Sequence, residues 1–166
     1  MAQDPETPAQ RSLVRAVARL EHDPAECVFR SVSRLARVVA TTFDEGLTPA
    51  GLTASQFNLL MTLSRLGPLP IGAFAQRLSM DASTVPRVLA PLQKARLVAI
   101  RPGSDRRVRV LEITDAGCDK LRLALPHWQR LQRRLLQALG EPDWAPLRQS
   151  LTGLRHSTQA ARAKHH

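Results

Sequence analysis

The hydrophobic pattern of this chain changes directly after residue 95, from the helical period of about 3.6 residues to the alternation that is typical of strands, and becomes helical again after residue 113. Before this point, helical patterns occupy residues 24–45, 53–66, 70–78 and 82–95. After it, residues 97–100 and 107–113 alternate, and the sequence Pro102-Gly103-Ser104-Asp105 between them favours a turn. The chain is therefore predicted to be mainly α, with one small two-stranded β-hairpin.

Local signals predict where several helices begin and end. Asp23 followed by Pro24 favours the start of a helix that Gly46 ends, and a capping box of Thr53 with Gln56 starts the next one. A short amphipathic stretch, residues 11–20, precedes both. We expect this stretch to be helical only when it packs on something else, because short isolated helices are unstable in water.

Two leucine-rich helices are expected after the hairpin. Thr114 is the predicted cap of the first, which Pro126 should kink or break, and Asp143 can cap the second. Their leucines are too many for one exposed surface, so we expect a second copy of the chain to cover them; they are Leu131, Leu135, Leu139, Leu147, Leu151 and Leu154. The alternative is a monomer whose terminal helices pack on its own first helix.

The excess of basic over acidic side chains indicates which class of molecule the chain binds. The chain has 166 residues, which suits a single domain and excludes large modular enzymes. Its formal net charge is +10, and residues 77–109 contribute eight basic and two acidic side chains. Nearly all the basic residues are arginines, which offer bidentate hydrogen bonds to phosphates and guanine edges. Nucleic acid is thus the first hypothesis, and scattered arginines that only keep the domain in solution are the alternative.

Other functional classes find little support in the sequence. The chain contains no glycine-rich phosphate loop and no His or Cys pair with metal-ligand spacing, so we expect no catalytic residues, no metal and no cofactor. Two cysteines, without an apolar leader or a membrane-length apolar run, predict a cytoplasmic protein that does not associate with a membrane.

Cys27 is the one residue that points to a sensed signal. It is predicted to lie in the first or second turn of a capped helix, where the helix dipole and Arg30 would favour its thiolate and make it a redox or ligand sensor. The alternative interpretation is that Cys27 is a small buried hydrophobe, and the residue type favours this second interpretation.

The predicted order of helix, short helix, tight turn, helix and basic hairpin is that of a winged helix-turn-helix. Six short motifs mark this order: Gln56 with its spacing to Leu66-Gly67-Pro68, Ala75-Gln76-Arg77-Leu78, Asp81-Ala82-Ser83-Thr84-Val85, Arg87-Val88-Leu89 with Leu92, Asp105-Arg106-Arg107, and Ile113-Thr114-Asp115-Ala116-Gly117. Together they resemble the MarR family of bacterial transcriptional regulators, over about residues 28–154. The resemblance implies a DNA-binding region, 52–113, between an N-terminal dimerisation helix, 24–47, and C-terminal dimerisation helices, 114–163.

The resemblance also implies roles for individual residues. The side of the recognition helix that faces the DNA groove would carry Ser83, Thr84 and Arg87. In the wing, Arg107 would enter the minor groove while Asp105 orients its guanidinium through a charge-assisted hydrogen bond. A helix N-terminus would bring Ser55 and Gln56 to a phosphate. The basic cluster adds three further DNA-binding candidates, which are Lys94, Arg106 and Arg109.

Three residues depart from the family pattern. Pro86 would cost about 3 kcal/mol if the recognition helix began at Asp81, so we expect a shortened or irregular start, such as one capped by Ser83. Arg96 stands where the family usually has glycine, and a left-handed helix end there would cost about 1 kcal/mol. Ile113 replaces the commoner leucine, which is a conservative change.

As a whole, the resemblance implies a two-fold homodimeric repressor that binds palindromic double-stranded DNA, with half-sites about one helical turn apart. A small aromatic or anionic effector, or an oxidant, would release it. The alternative is a non-specific architectural DNA-binding protein. An RNA-binding protein would need more aromatic stacking platforms than four Phe and two Trp provide.

Overall fold

The computed structural model describes residues 7–20, 23, 27–81, 83–105 and 107–163, with the backbone alone for residues 141–143. In this part of the chain the elements are α1 (Pro8–Val17), α2 (Val28–Leu47), α3 (Ala54–Leu66), β1 (Leu69–Pro70), α4 (Ile71–Arg77), α5 (Val85–Lys94), β2 (Val98–Pro102), β3 (Arg109–Ile113), α6 (Asp115–Leu139) and α7 (Glu141–Ala163). The contacts divide into two compact units, one reaching to Thr42 and the other beginning at Phe43, so that their boundary falls inside α2.

The predicted fold class, mainly α with a small β wing, is confirmed. The predicted hairpin is formed by β2 and β3, which pair antiparallel from Val98 opposite Ile113 to Pro102 opposite Arg109. The sheet also has a third strand that was not predicted, because β1 pairs with the other edge of β3 and gives the order β1-β3-β2. This strand has two residues and is defined by its pairing across the chain, with Leu69 opposite Leu111, and not by a local pattern.

The core of the second unit lies where α3, α4, α5 and β3 meet. The side chains at its centre are fully buried: Leu47, Leu60, Leu63, Phe74, Val85, Leu89, Leu92 and Leu111. Burying each such side chain stabilises the fold by about 1.5–3 kcal/mol relative to leaving it in water. Because α5 contributes three of these residues, its inner face is held firmly and its outer face is left for another use.

The first helices differ from their predicted bounds. The stretch predicted at residues 11–20 is α1, which begins earlier because Thr7 and Gln10 form a capping box. Of the predicted start signal of the next helix, Pro24 lies outside the described residues, and α2 begins at Val28. The prediction that Gly46 ends this helix is wrong. Gly46 lies inside α2, where the Cδ2 atom of Leu131 comes within 2.9 Å of the place a Cβ would take.

The two C-terminal helices also correct the sequence prediction. Pro126 does not break the long helix, since α6 runs without interruption from Asp115 to Leu139. Pro126 is exposed, while Leu125 and Trp128 on either side pack against the core and hold both halves in line. The last helix begins at Glu141, two residues before the predicted cap at Asp143.

A junction of four residues joins the recognition region to α6. Arg96, the second residue after α5, has a φ of 57°, so the left-handed conformation considered above for this position is present. The hydroxyl of Thr114 donates to the carbonyl of Arg96 at 2.7 Å and accepts the N–H of Gly117 at 3.0 Å, and the N–H of Thr114 donates to the carbonyl of Leu97 at 3.1 Å. We call these residues, Arg96, Leu97, Thr114 and Gly117, the wing junction. The predicted cap of α6 by Thr114 is thereby confirmed.

Gly117 is the residue of the wing junction that tolerates no side chain. A Cβ on Gly117 would lie 2.1 Å from the carbonyl oxygen of Leu97, which is backbone and cannot rotate away. We expect Gly117→Ala to lower the free energy of unfolding by about 1–3 kcal/mol or more, because α6 must move off the turn. Gly153→Ala is the matched control, since nothing lies within 4 Å of that position and alanine should stabilise α7 by about 0.5–1 kcal/mol. Denaturant unfolding of both variants measures the difference, and equal effects of one sign would contradict the close approach.

Candidate nucleic-acid interface

The start of α5 decides which residues the predicted recognition helix presents. The helix begins at Val85, so Pro86 takes its second position, where a missing N–H costs nothing. The prediction of a shortened start is confirmed. The cap, however, is Thr84 and not Ser83, because the carbonyl of Thr84 accepts the N–H of Val88 at 3.3 Å.

A second proline in α5 was missed by the sequence analysis. Pro91 lies inside the helix and has no N–H to donate to the carbonyl of Arg87. Both residues are exposed. The signal was present in the sequence, as a proline in the middle of a helical pattern.

The outer face of α5 carries the basic residues. Val85, Leu89 and Leu92 point into the core, while Arg87 and Lys94 are exposed and stand seven residues apart on the opposite face. Of the two residues before the helix, Ser83 is exposed and Thr84 is half-buried. The predicted DNA-facing residues on and before α5 therefore lie on the surface side of this helix, with Thr84 the least accessible.

At the N-terminus of α3, some of the groups that were predicted to bind a phosphate already form hydrogen bonds within the chain. Thr53 and Gln56 form the predicted capping box, at 3.2 and 3.0 Å, so the side-chain oxygen of Gln56 is already in use. A carboxylate oxygen of Asp44 accepts the N–H of Ala54 at 2.6 Å. Among the bonds of the described residues none uses the N–H or the hydroxyl of Ser55, which is exposed. Ser55 thus remains the better of the two predicted phosphate contacts.

The wing is shaped by its own turn. The carboxylate of Asp105 accepts the backbone N–H of Arg107 at 2.9 Å, and the N–H of Gly103 donates to the carbonyl of Val108 at 2.8 Å. The prediction that Asp105 orients the guanidinium of Arg107 is wrong, because no ion pair of the described residues joins the two side chains. The carboxylate instead orders the backbone at the tip, as is typical of an Asx-turn. Arg106 lies outside the described residues.

Two further arginines of the hairpin have different surroundings. Arg109 is exposed at the start of β3, opposite Pro102. Arg101 lies on the neighbouring strand and forms an ion pair with Glu112 at 2.5 Å. Arg101 therefore contributes less free positive charge to the wing than its place in the sequence suggested.

The predicted sensing residues lie in the first unit. Cys27 is half-buried directly before α2, where its carbonyl accepts the N–H of Ser31, so it occupies the cap position and not a helical turn. Arg30 is exposed, three residues further on. A sensor role for Cys27 and Arg30 stays a prediction. So does an aromatic or anionic effector, for which Trp128 and Arg133 line an open depression on α6.

Searches for other kinds of site concern the described residues alone. There, no group of three or more His, Cys, Asp or Glu side chains could hold a metal ion. No described helix combines the length and the apolar character that crossing a membrane requires.

Comparison with known proteins gives the same fold. The model of the MarR family matches residues 50–108. An uncharacterized HTH-type transcriptional regulator of Bacillus subtilis, YwoH, is 30% identical over 87 residues, which are 52% of this chain and 64% of that relative. The match thus spans less than two thirds of the relative's length.

Solved structures cover more of the chain. The transcriptional regulator MosR of M. tuberculosis, in complex with DNA, has a TM-score of 0.76 and 29% identity over 82% of this chain and 99% of its own. The transcriptional repressor CouR, bound to a 23-mer DNA duplex, has a TM-score of 0.71 and 25% identity over 79% of this chain and 94% of its own. Over residues 50–108, which carry the recognition helix and the start of the wing, the chain is thus similar to the MarR family, and its fold is that of these regulators.

Proposed function

We propose that the protein is a sequence-specific DNA-binding transcriptional regulator that acts as a homodimeric repressor. The observation that carries the proposal is the charge on one surface: Arg87, Lys94, Arg107 and Arg109 are exposed on α5 and the wing. None of these four has an ion-pair partner among the described residues. Guanidinium and ammonium groups that lack carboxylate partners are the groups that phosphates and base edges bind.

The similar structures support the same function. MosR is described in complex with DNA, and CouR is described as a transcriptional repressor bound to a DNA duplex. The matching family model and the similar structures are those of transcriptional regulators, which supports a protein that is not an enzyme. By extension, we infer that this chain binds double-stranded DNA through α5 and the wing and represses transcription from the bound site.

A footprint on the DNA upstream of the protein's own coding region tests this proposal. We expect a protected palindrome with half-sites about one helical turn apart, because a two-fold dimer presents two copies of α5. Affinity for this site should exceed affinity for an unrelated duplex of equal length by about 10³-fold or more at physiological salt. Uniform protection of any duplex would instead favour the architectural alternative.

Arg107 is the wing residue whose substitution we expect to weaken DNA binding most. Its guanidinium is exposed next to a tip that Asp105 holds in place, so little ordering is needed on binding. We expect Arg107→Ala to weaken DNA binding by about 1–3 kcal/mol per wing, and to reduce the slope of log affinity against log salt by about 0.9 for each phosphate contact that is lost. Titrations at several salt concentrations measure both quantities.

Arg101→Ala is the matched control, since Arg101 lies on the same hairpin but is paired with Glu112. It should change the salt slope less than Arg107→Ala does. If Arg107→Ala leaves both affinity and slope unchanged, the wing assignment is wrong.

A homodimer follows from apolar side chains that the single chain leaves exposed. In the second unit, Leu135, Leu139, Leu147 and Leu151 on α6 and α7 are each 38–40% exposed. In the first unit, four apolar side chains along α2 are 41–56% exposed, and Phe29 beside them is 77% exposed; the four are Val28, Val32, Leu35 and Val39. So much apolar surface on terminal helices is typical of a protein interface, and we infer that a second copy covers it.

Leu139→Glu tests the dimer. A charge at this exposed leucine would have to be buried in the interface, so we expect sedimentation to show a shift from two copies towards one. Leu66→Glu is the control, because Leu66 at the end of α3 is 41% exposed against 40% for Leu139 but lies outside the terminal helices. A wild-type mass of one 18.3 kDa chain at micromolar concentration would contradict the dimer.

A further inference from the structure

The C-terminal end of α7 touches the turn that leads into α5. The side-chain amide of Gln159 donates to the hydroxyl of Ser79 at 3.1 Å, and the guanidinium of Arg162 pairs with the carboxylate of Asp81 at 3.0 Å. Gln159 and Arg162 stand three residues apart on one face of α7, and Ser79 and Asp81 stand two residues apart in the turn. Two neighbouring contacts thus join one helix face to one turn.

This turn controls the first residues of the recognition helix. Ser79 has a left-handed backbone with a φ of 53°, which a residue with a side chain adopts only when its surroundings hold it there. The carbonyl of Asp81 accepts the N–H of Thr84 at 2.9 Å, and Val85 then begins α5. A shift of Asp81 would therefore be passed on to Ser83, Thr84 and the start of the helix.

Among the described residues, no other side chain forms a hydrogen bond to the start of α5. No side-chain cap bond is formed at Thr84, whereas α3 and α6 both begin with a threonine hydroxyl that accepts a helical N–H. Pro86 has no N–H of its own to be fixed by a partner. In the part of the chain that the structure describes, the contacts of Gln159 and Arg162 are the ones that replace a local cap.

We propose that Arg162 and Gln159 are positioning residues, which hold the Ser79–Asp81 turn so that α5 begins in the orientation that reads DNA. The expected effect on DNA binding rests on the proposed function. The expected effect on the turn rests on the contacts in the structure alone. The two side chains bind a turn of the same chain, and α7 would affect the recognition of DNA through this turn, without contacting a base.

The competing explanation is that Arg162 contributes to DNA binding by contacting a phosphate directly. The effect of Asp81→Asn on DNA binding distinguishes the two explanations, because they predict opposite changes. Asp81 carries a negative charge beside the recognition helix. If only charge mattered, Asp81→Asn would strengthen DNA binding. If the carboxylate holds the turn through Arg162, Asp81→Asn weakens discrimination between sequences, as Arg162→Ala does.

The first measurement is amide hydrogen exchange of residues 83–88 in the full-length protein without DNA. We expect Arg162→Ala and Asp81→Asn each to raise the exchange rate of this segment by about two- to fivefold, the range that an exposed ion pair can supply. The double variant should exchange no faster than either single one, because both remove the same interaction. Arg162→Lys should restore part of the protection, and Arg148→Ala, which removes a charge elsewhere on α7, should leave the rate unchanged.

The second measurement is the ratio of affinities for the footprinted duplex and for an unrelated duplex of the same length. We expect Arg162→Ala to lower this ratio by about two- to fivefold with an unchanged salt slope. Unchanged exchange in both single variants would overturn the positioning role. So would a smaller salt slope in Arg162→Ala together with tighter binding by Asp81→Asn. Faster exchange in a protein whose wild type prefers no duplex would overturn the proposed function and leave the contact between α7 and the turn established.

Discussion

The wing junction is the constraint on which the DNA-binding region depends. The left-handed Arg96 follows the end of α5, Leu97 precedes β2, Thr114 lies between β3 and α6, and Gly117 lies in the first turn of α6. Three hydrogen bonds of 2.7–3.1 Å, all made by Thr114, tie these ends together. Because one hydroxyl serves both the turn and the helix cap, the recognition helix, the wing and the long helix cannot be adjusted independently. The left-handed arginine, which costs about 1 kcal/mol, is the strain that this arrangement sustains.

The core explains why the charges lie where they do. Val85, Leu89 and Leu92 are fully buried in one core with residues of α3, α4 and β3, and this fixes which face of α5 points inward. Once these three are inside, helical geometry places Arg87 and Lys94 outside. The position of the hairpin is fixed at one end by the wing junction and at its tip by the turn that Asp105 stabilises. A surface with exposed basic side chains on α5 therefore results from the apolar packing beneath it.

Features that depend on a few neighbouring residues could be predicted from the sequence. The caps by Thr53 and Thr114 each involve residues three apart, and they were predicted correctly. The left-handed Arg96 was foreseen from the motif order of the family. The hydrogen bond of Asp105 was predicted to the correct residue, Arg107, but to its guanidinium and not to its backbone N–H. The backbone N–H is preferred because less conformational entropy is lost when it is used than when a flexible side chain is ordered.

Features that depend on distant residues could not be predicted in this way. The strand β1 has two residues and exists only through pairing with β3, and the partners of Ser79 and Asp81 lie 80 and 81 residues further along the chain. Pro126 was expected to interrupt a helix because its local effect is unfavourable, yet packing of Leu125 and Trp128 against the core outweighs the loss of one hydrogen bond. Local rules describe the start of an element well, whereas its continuation depends on what it packs against.

The contacts of α7 have a consequence for regulation. This helix contributes no residue to the buried core of the described chain, and its leucines remain half-exposed or exposed, while its last turns hold the entry to α5. If a second copy covers the leucines, as we propose, the same helix carries both the dimer interface and the turn before the recognition helix. Thermodynamic linkage then requires reciprocity: whatever shifts α7 changes DNA binding, and DNA binding changes the free energy of that shift by the same amount. A surface ion pair and one hydrogen bond limit this coupling to about 1–2 kcal/mol, which is within the usual range for allosteric proteins.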